Sequence, residues 1–139
     1  MSAATAPAVI ELSGITKHYR MGDTEVPALR GIDIAIPAGA FVAVKGPSGS
    51  GKSTLLNICG LLDTFDQGRY RLGGEDVSSL DEIARTLIRR RRIGFVFQVV
   101  ALMRELGASH GATFLIATHD ERMTSRCDEV RTMTDGVLQ

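Results

Sequence analysis

FVAVKGPSGSGKST, residues 41–54, holds three structural instructions in a row. Phe41 to Lys45 is a short apolar, β-branched run with the length and composition of a buried strand. Gly46, Gly49 and Gly51 then interrupt it and free the backbone to turn successive N–H groups inward. From Lys52 the apolar positions Leu55, Ile58, Leu61 and Leu62 recur on one stripe, which predicts a helix to about Leu62. Gly46 to Ser53 satisfies G-x-x-x-x-G-K-[ST], the pattern of a loop that cradles phosphate oxygens. In such a loop Lys52 reaches the β and γ phosphates, Ser53 offers its hydroxyl to Mg²⁺, and the helix aims its positive dipole end at a nucleotide.

Upstream, Val9 to Tyr19 and Ala28 to Ile36 carry strand-like alternation on either side of a polar turn at Gly22 and Asp23, predicting an antiparallel pair. Downstream, Gly68 to Val77 alternates around a Gly-Gly turn and predicts a hairpin, and Leu80 to Arg90 has helical spacing at Leu80, Ile83, Leu87 and Ile88. Ile93 to Phe97, Val99 to Leu106 and Phe114 to Thr118 read as strand, helix and strand, a βαβ crossover. A short helix at Glu121 to Arg126, a strand at Glu129 to Met133, a turn at Asp135 and Gly136, and a final VLQ complete the chain. The basic run Arg89 to Arg92 reads as a solvated helix end.

The composition narrows the function. The chain has 139 residues, 16 Lys plus Arg against 16 Asp plus Glu, and 44% apolar residues, which describe one soluble globular domain near neutrality. That balance argues against a general polyanion binder, so no nucleic-acid partner is expected. No window approaches the roughly 18 consecutive apolar residues of a membrane span. The start, MSAATAPAV, lacks the pattern of a secretory signal and reads as a frayed lead-in, with residues 1–8 disordered. Cys59 and Cys127 stand far apart without ligand spacing, which indicates neither zinc site nor disulfide framework and fits a reducing cytoplasm.

ITKHY, ALRGIDIAIPAG, GPSGSGKSTLLNICGLLD, RIGFVFQ and FLIATHD occur in this order along the chain. In them the sequence resembles the ATP-binding subunits of ABC transporters, and most of all their lipoprotein-release and macrolide-export branch. The resemblance implies an α/β fold: a P-loop NTPase (RecA-like) parallel sheet flanked by helices, with an N-terminal antiparallel β-subdomain. It implies ATP and Mg²⁺ as cofactors, and hydrolysis in head-to-tail pairs docked beneath membrane-spanning partners at the cytoplasmic face of the cell membrane. Matched position by position, Tyr19 is the aromatic that stacks on adenine, and Gly46, Ser48, Gly49, Ser50, Gly51, Lys52, Ser53 and Thr54 form the phosphate loop. Gln98 matches the glutamine near Mg²⁺, so that Ser53 and Gln98 are the metal residues. His119 matches the switch histidine facing the γ-phosphate, and the catalytic candidates are His119 and Gln98.

One block of the family pattern is missing. Between Gln98 and Val99 family members carry a helical subdomain, a signature segment resembling LSGGQ and a strand ending in Asp-Glu, and the sequence contains none of these. The chain therefore reads as a single shortened domain over 1–139 with an internal deletion near 98–99. The lost glutamate would activate water, a contribution of about 10² to 10⁴-fold, so very slow or no turnover is expected. A nucleotide-binding module without hydrolysis and a non-functional deletion fragment are the alternatives. A small P-loop phosphotransferase fits less well, because strands and Tyr19 precede the loop. One repair is available: the strand ending at Phe97 pairs with the strand beginning at Phe114, and Gln98 takes the place of the missing carboxylate.

Overall fold

The computed structural model describes residues 8–47, 49–92, 113–118, 124–125 and 127–139. The early alternation becomes two long strands, β1 (Ala8–Met21) and β2 (Thr24–Pro37), turning at Gly22 and Asp23 and paired antiparallel over their whole length. Leu12 and Ile15 are both buried although three residues apart, which a regular period of two forbids. A bulge at Ser13 and Gly14 resolves the conflict by shifting the register, with Gly14 at φ +59° and its N–H donated to the Asp33 carboxylate at 2.8 Å. The hairpin of β4 (Gln67–Leu72) and β5 (Glu75–Asp76) joins the far edge of β1, giving the sheet order β2-β1-β4-β5.

Phe41 to Lys45 forms β3, the interior strand of a second sheet. It runs parallel to β6 (Phe114–Ala117) on one side and to β7 (Glu129–Thr134) on the other, and β8 (Val137–Leu138) returns antiparallel to β7. Phe41 to Val44 are all buried, as a strand covered on both faces requires, and exposure begins at Lys45 where the chain leaves the sheet. Asp128 fixes where β3 starts: its carboxylate accepts the Phe41 N–H at 2.8 Å and its own N–H returns to the Phe41 carbonyl at 2.8 Å. The rings of Phe41 and Phe114 pack with centroids 5.2 Å apart.

Helix α1 (Lys52–Cys59) lies against β2 and β6, so one core made of Ile15, Leu29, Ile32, Val44, Leu55 and Ile58 serves both sheets. The helix ends at Cys59, short of the expected Leu62. Gly60 caps it and Leu61 adopts the left-handed conformation at φ +61°, so Leu61 N–H reaches the Ile58 carbonyl at 3.0 Å and Leu62 N–H the Asn57 carbonyl at 2.8 Å. Those two bonds are the Schellman termination. They turn the chain sharply enough that Leu61 is buried while Leu62 is 51% exposed, contrary to the stripe expected from spacing.

The second helix, α2 (Glu82–Arg92), also starts later than Leu80, because Asp81 caps it by accepting the Ala84 N–H at 2.8 Å. Leu80 and Ile88 pack on the core, whereas Ile83 and Leu87 face outward. Arg89 departs from the expected solvated helix end: its guanidinium donates to the Leu61 carbonyl at 2.9 Å and ties α2 to the turn after α1. The predicted strand 93–97, the helix 99–106, the pairing of 93–97 with 114–118, and most of the helix 121–126 lie outside the described residues. Among the described residues no helix is long and apolar enough to cross a membrane.

Tyr70 of β4 is fully buried and donates its hydroxyl to the Cys59 carbonyl at 2.5 Å, stitching the antiparallel sheet to the end of α1. Burial pushes the neighbouring Cys59 thiol up to about 12, which leaves it an inert apolar filler. Replacing Tyr70 by Phe removes the hydroxyl's bond in a dry site and costs about 1–3 kcal/mol. The expected outcome of Tyr70→Phe is a lower urea midpoint with an unchanged slope, measured by equilibrium unfolding.

Candidate phosphate-binding site

The glycine-rich loop is held from behind. A Cβ on Gly46 would lie 2.1 Å from the Met133 carbonyl oxygen of β7, and one on Gly51 would lie 2.7 Å from the Ala28 carbonyl of β2. Gly49 meets no such wall and is required for its conformation alone, at φ +79°. Ser50 is buried, and its carbonyl accepts the Gly136 N–H at 2.8 Å, while the Gly136 carbonyl accepts the Arg30 N–H at 2.9 Å. The turn between β7 and β8 thus sits between the loop and β2 and bonds to both.

On the open side the loop presents donors. Lys52 is the first residue of α1, and its ammonium donates to the Gly46 and Pro47 carbonyls, the latter at 2.9 Å. The first helical bond runs from Leu55 N–H to the Gly51 carbonyl at 2.9 Å, so the N–H groups of Lys52, Ser53 and Thr54 precede it. No side chain caps this terminus and no acidic residue occupies its first turn. The Ser53 hydroxyl is on an exposed residue beside it. The buried Ser50 hydroxyl finds no partner among the described residues. An anion with several acceptor oxygens suits this donor set, and a carboxylate side chain to compete with it is absent from the first turn.

Tyr19, near the end of β1, reaches the same helix. Its hydroxyl donates to Asp63 Oδ2 at 3.0 Å and lies 3.5 Å from Thr54 Oγ1. Lys17, two residues earlier and so on the same strand face, donates to Asp63 Oδ1 at 3.3 Å and places its ammonium 5.3 Å from the Tyr19 ring centroid. Asp63 also accepts the Thr64 N–H at 2.8 Å. Partial burial alone would raise the Asp63 carboxyl, but the Thr64 amide, the Tyr19 hydroxyl and the Lys17 ammonium outweigh it and hold it below the usual carboxylate range. Across the strand His18 pairs instead with Asp66, whose carboxyl its ring and amide lower.

Of the residues expected in the site, Gly46, Gly49, Ser50, Gly51, Lys52, Ser53 and Thr54 come together in one loop and helix start, and Tyr19 joins them through Thr54. Ser48, Gln98 and His119 lie outside the described residues. Thr118 donates its N–H to the Val44 carbonyl at 3.0 Å, which sets the carboxyl end of β6 level with the end of β3 where the loop begins. Sequence reading missed Lys17 and Asp63. Their only signals were the spacing of Lys17 and Tyr19 on one strand face and the acid that closes GLLD. Among the described residues no group of three His, Cys, Asp or Glu side chains is placed to hold a metal ion.

Residues 29–137 match the ABC transporter family. The macrolide export ATP-binding/permease protein MacB of Bdellovibrio bacteriovorus is 49% identical over 100 residues, which are 72% of this chain and 15% of that protein. The lipoprotein-releasing system ATP-binding protein LolD of Anaeromyxobacter dehalogenans is 50% identical over 98 residues, 70% of this chain and 41% of the relative. The chain therefore spans less than half the length of these relatives. A dimeric ATP-binding cassette, solved in a post-hydrolysis state with ADP and Pi, has the same fold, with a TM-score of 0.89 at 22% identity over 94% of this chain and 96% of that one. An antiparallel β-subdomain ahead of a parallel sheet is the cassette architecture, as the resemblance implied.

Gly136 tests the bracing of the loop without altering it. At φ +78° an added Cβ meets the Ala28 carbonyl at 2.6 Å. Gly136→Ala is expected to cost about 1–3 kcal/mol in backbone strain, to displace the turn, and to loosen Ser50. Thermal unfolding with fluorescent nucleotide titration checks this, and an unchanged midpoint together with unchanged affinity would mean that the turn does not support the loop.

Proposed function

We propose that this chain, which belongs to the ABC transporter family, binds Mg-ATP between β3 and α1 as the nucleotide-binding unit of an export or lipoprotein-release machine. The observation that carries the reading is a glycine loop that leads from β3 into a helix start with no side-chain cap, its Lys52 ammonium bonded back to the loop carbonyls of Gly46 and Pro47. In this reading the amides and Lys52 hold the phosphates, and Ser48 completes the loop. Ser53 and Gln98 offer oxygens to Mg²⁺, which would neutralise phosphate charge. His119 faces the γ-phosphate and Tyr19 stacks on adenine. The macrolide-export relatives carry an ATP-binding part and a permease part in one protein, and the solved cassette is dimeric. By extension, the partners proposed here are a second copy of the ATP-binding unit and membrane-spanning subunits, met at the inner face of the cell membrane.

Binding and hydrolysis separate in this sequence. FLIAT is followed by His119 and Asp120, the order of the switch-histidine strand, and no run of four apolar residues in the sequence passes directly into Asp-Glu. Without a carboxylate to activate water, turnover by this chain alone is proposed to be very slow or absent, which favours a binding module over a self-sufficient ATPase.

Thermal unfolding with and without Mg-ATP, beside Lys52→Ala, tests the proposal. At about a hundred times its Kd, ATP adds about 2.7 kcal/mol to the stability of the parent. The expected outcome is an upward shift in the parent, none in Lys52→Ala, and phosphate release near background in both. A parent that shows no cooperative transition would instead support the deletion-fragment alternative, and a shift that survives Lys52→Ala would remove the loop from the binding site.

A further inference from the structure

Tyr19 raises a question that base stacking alone does not answer. It stands near the exposed end of a strand with 37% of its surface open, and a tyrosine there can swing about two side-chain torsions. Yet its hydroxyl is bonded to a carboxylate that is itself held from several sides. Asp63 Oδ2 takes the Tyr19 hydroxyl, and Oδ1 takes both the Lys17 ammonium and the Thr64 amide. The Asp63 main chain is anchored in turn through its N–H to the Asn57 carbonyl at 3.3 Å, beside the bonds that terminate α1. Lys17, whose side chain is only 11% exposed, closes the triangle by lying over the ring.

We propose that Asp63 is a positioning residue for the base of the nucleotide: it holds the Tyr19 ring beside the start of α1, so that affinity for the adenine end depends on a carboxylate that never touches it. This rests on the reading of Tyr19 as the stacking residue. Lys17 covers one approach to the ring, and the base stacks from the opposite face. Against the effect of partial burial, the bonds that Asp63 accepts from the Thr64 amide, the Tyr19 hydroxyl and the Lys17 ammonium favour its ionised form and hold its carboxyl below the usual range, so the charged acceptor is the form that restrains the ring. A tyrosine released from Asp63 would have to be ordered by the incoming nucleotide, which weakens binding by about three- to tenfold. The loss falls on the base and spares the phosphates.

The experiment compares binding of Mg-ATP and of Mg-tripolyphosphate, which has the phosphates without the base, to the full chain and to Tyr19→Ala, Tyr19→Phe, Asp63→Ala and the Tyr19→Phe/Asp63→Ala double variant. Asp63→Ala and Tyr19→Phe are each expected to weaken ATP about fivefold and to leave tripolyphosphate unchanged, and the double variant to be no weaker than either single one. Equal losses for both ligands in Asp63→Ala would show a merely structural role and overturn the proposal. If Tyr19→Ala lowers the preference for ATP while Asp63→Ala and Tyr19→Phe keep it, the positioning role falls and the stacking reading stands. If Tyr19→Ala leaves the preference unchanged, the stacking reading fails and takes the proposal with it.

Discussion

The Met133 carbonyl oxygen occupies the place where any side chain at position 46 would have to go. That single exclusion lets the backbone at Gly46 lie directly against the parallel sheet where β3 ends. The remaining contacts extend the same wall. Ala28 and the Gly136 turn back the loop at Gly51 and Ser50, and α1 then starts with no side chain capping its first amides. A phosphate cradle is usually described by the groups that point at the ligand, but here its shape is dictated from the opposite side.

Those backing groups come from two separate stretches of chain, β2 and the β7–β8 hairpin, and this governs how much was legible. The local elements were readable though not all their ends: β1 to β3, the β4–β5 hairpin, and the loop with its following helix each carry their own pattern of alternation, glycines or helical spacing. The end of α1 was misread because Leu61, a residue with a Cβ, takes the left-handed conformation that sequence reading reserves for glycine. The outward turn of Ile83 and Leu87 escaped notice because spacing tells which residues share a face and not whether that face finds a partner. The bond from Lys17 to Asp63 joins residues 46 positions apart and has no local signature at all.

The same distinction separates the parts of the site. The phosphate loop is a continuous peptide and is complete within one strand, one turn and one helix. The groups that would act on water come, in the family pattern, from other strands, and the sequence lacks both a segment resembling LSGGQ and a run of four apolar residues passing directly into Asp-Glu. A contiguous cradle can outlive such a loss, whereas a constellation assembled across a sheet cannot. Tyr19 is an intermediate case: it is remote in sequence from the loop, but a short polar relay through Thr54 and Asp63 brings it to the same helix.

The position of the β7–β8 turn bears on the order of events during synthesis. The loop is translated well before part of the wall it leans on, because Met133 and Gly136 follow Gly46 by most of the chain. A nascent polypeptide that has grown only as far as α2 already contains the entire glycine-rich motif and the Ala28 carbonyl behind Gly51, but not the β7–β8 turn behind Gly46 and Ser50. Its β1–β2 hairpin can form on the ribosome from neighbouring residues, while the cradle must wait for a long-range closure, which is entropically costly and slow. On the proposed reading, nucleotide stabilises the chain once the β7–β8 turn has closed behind the loop and not the intermediates that precede that closure.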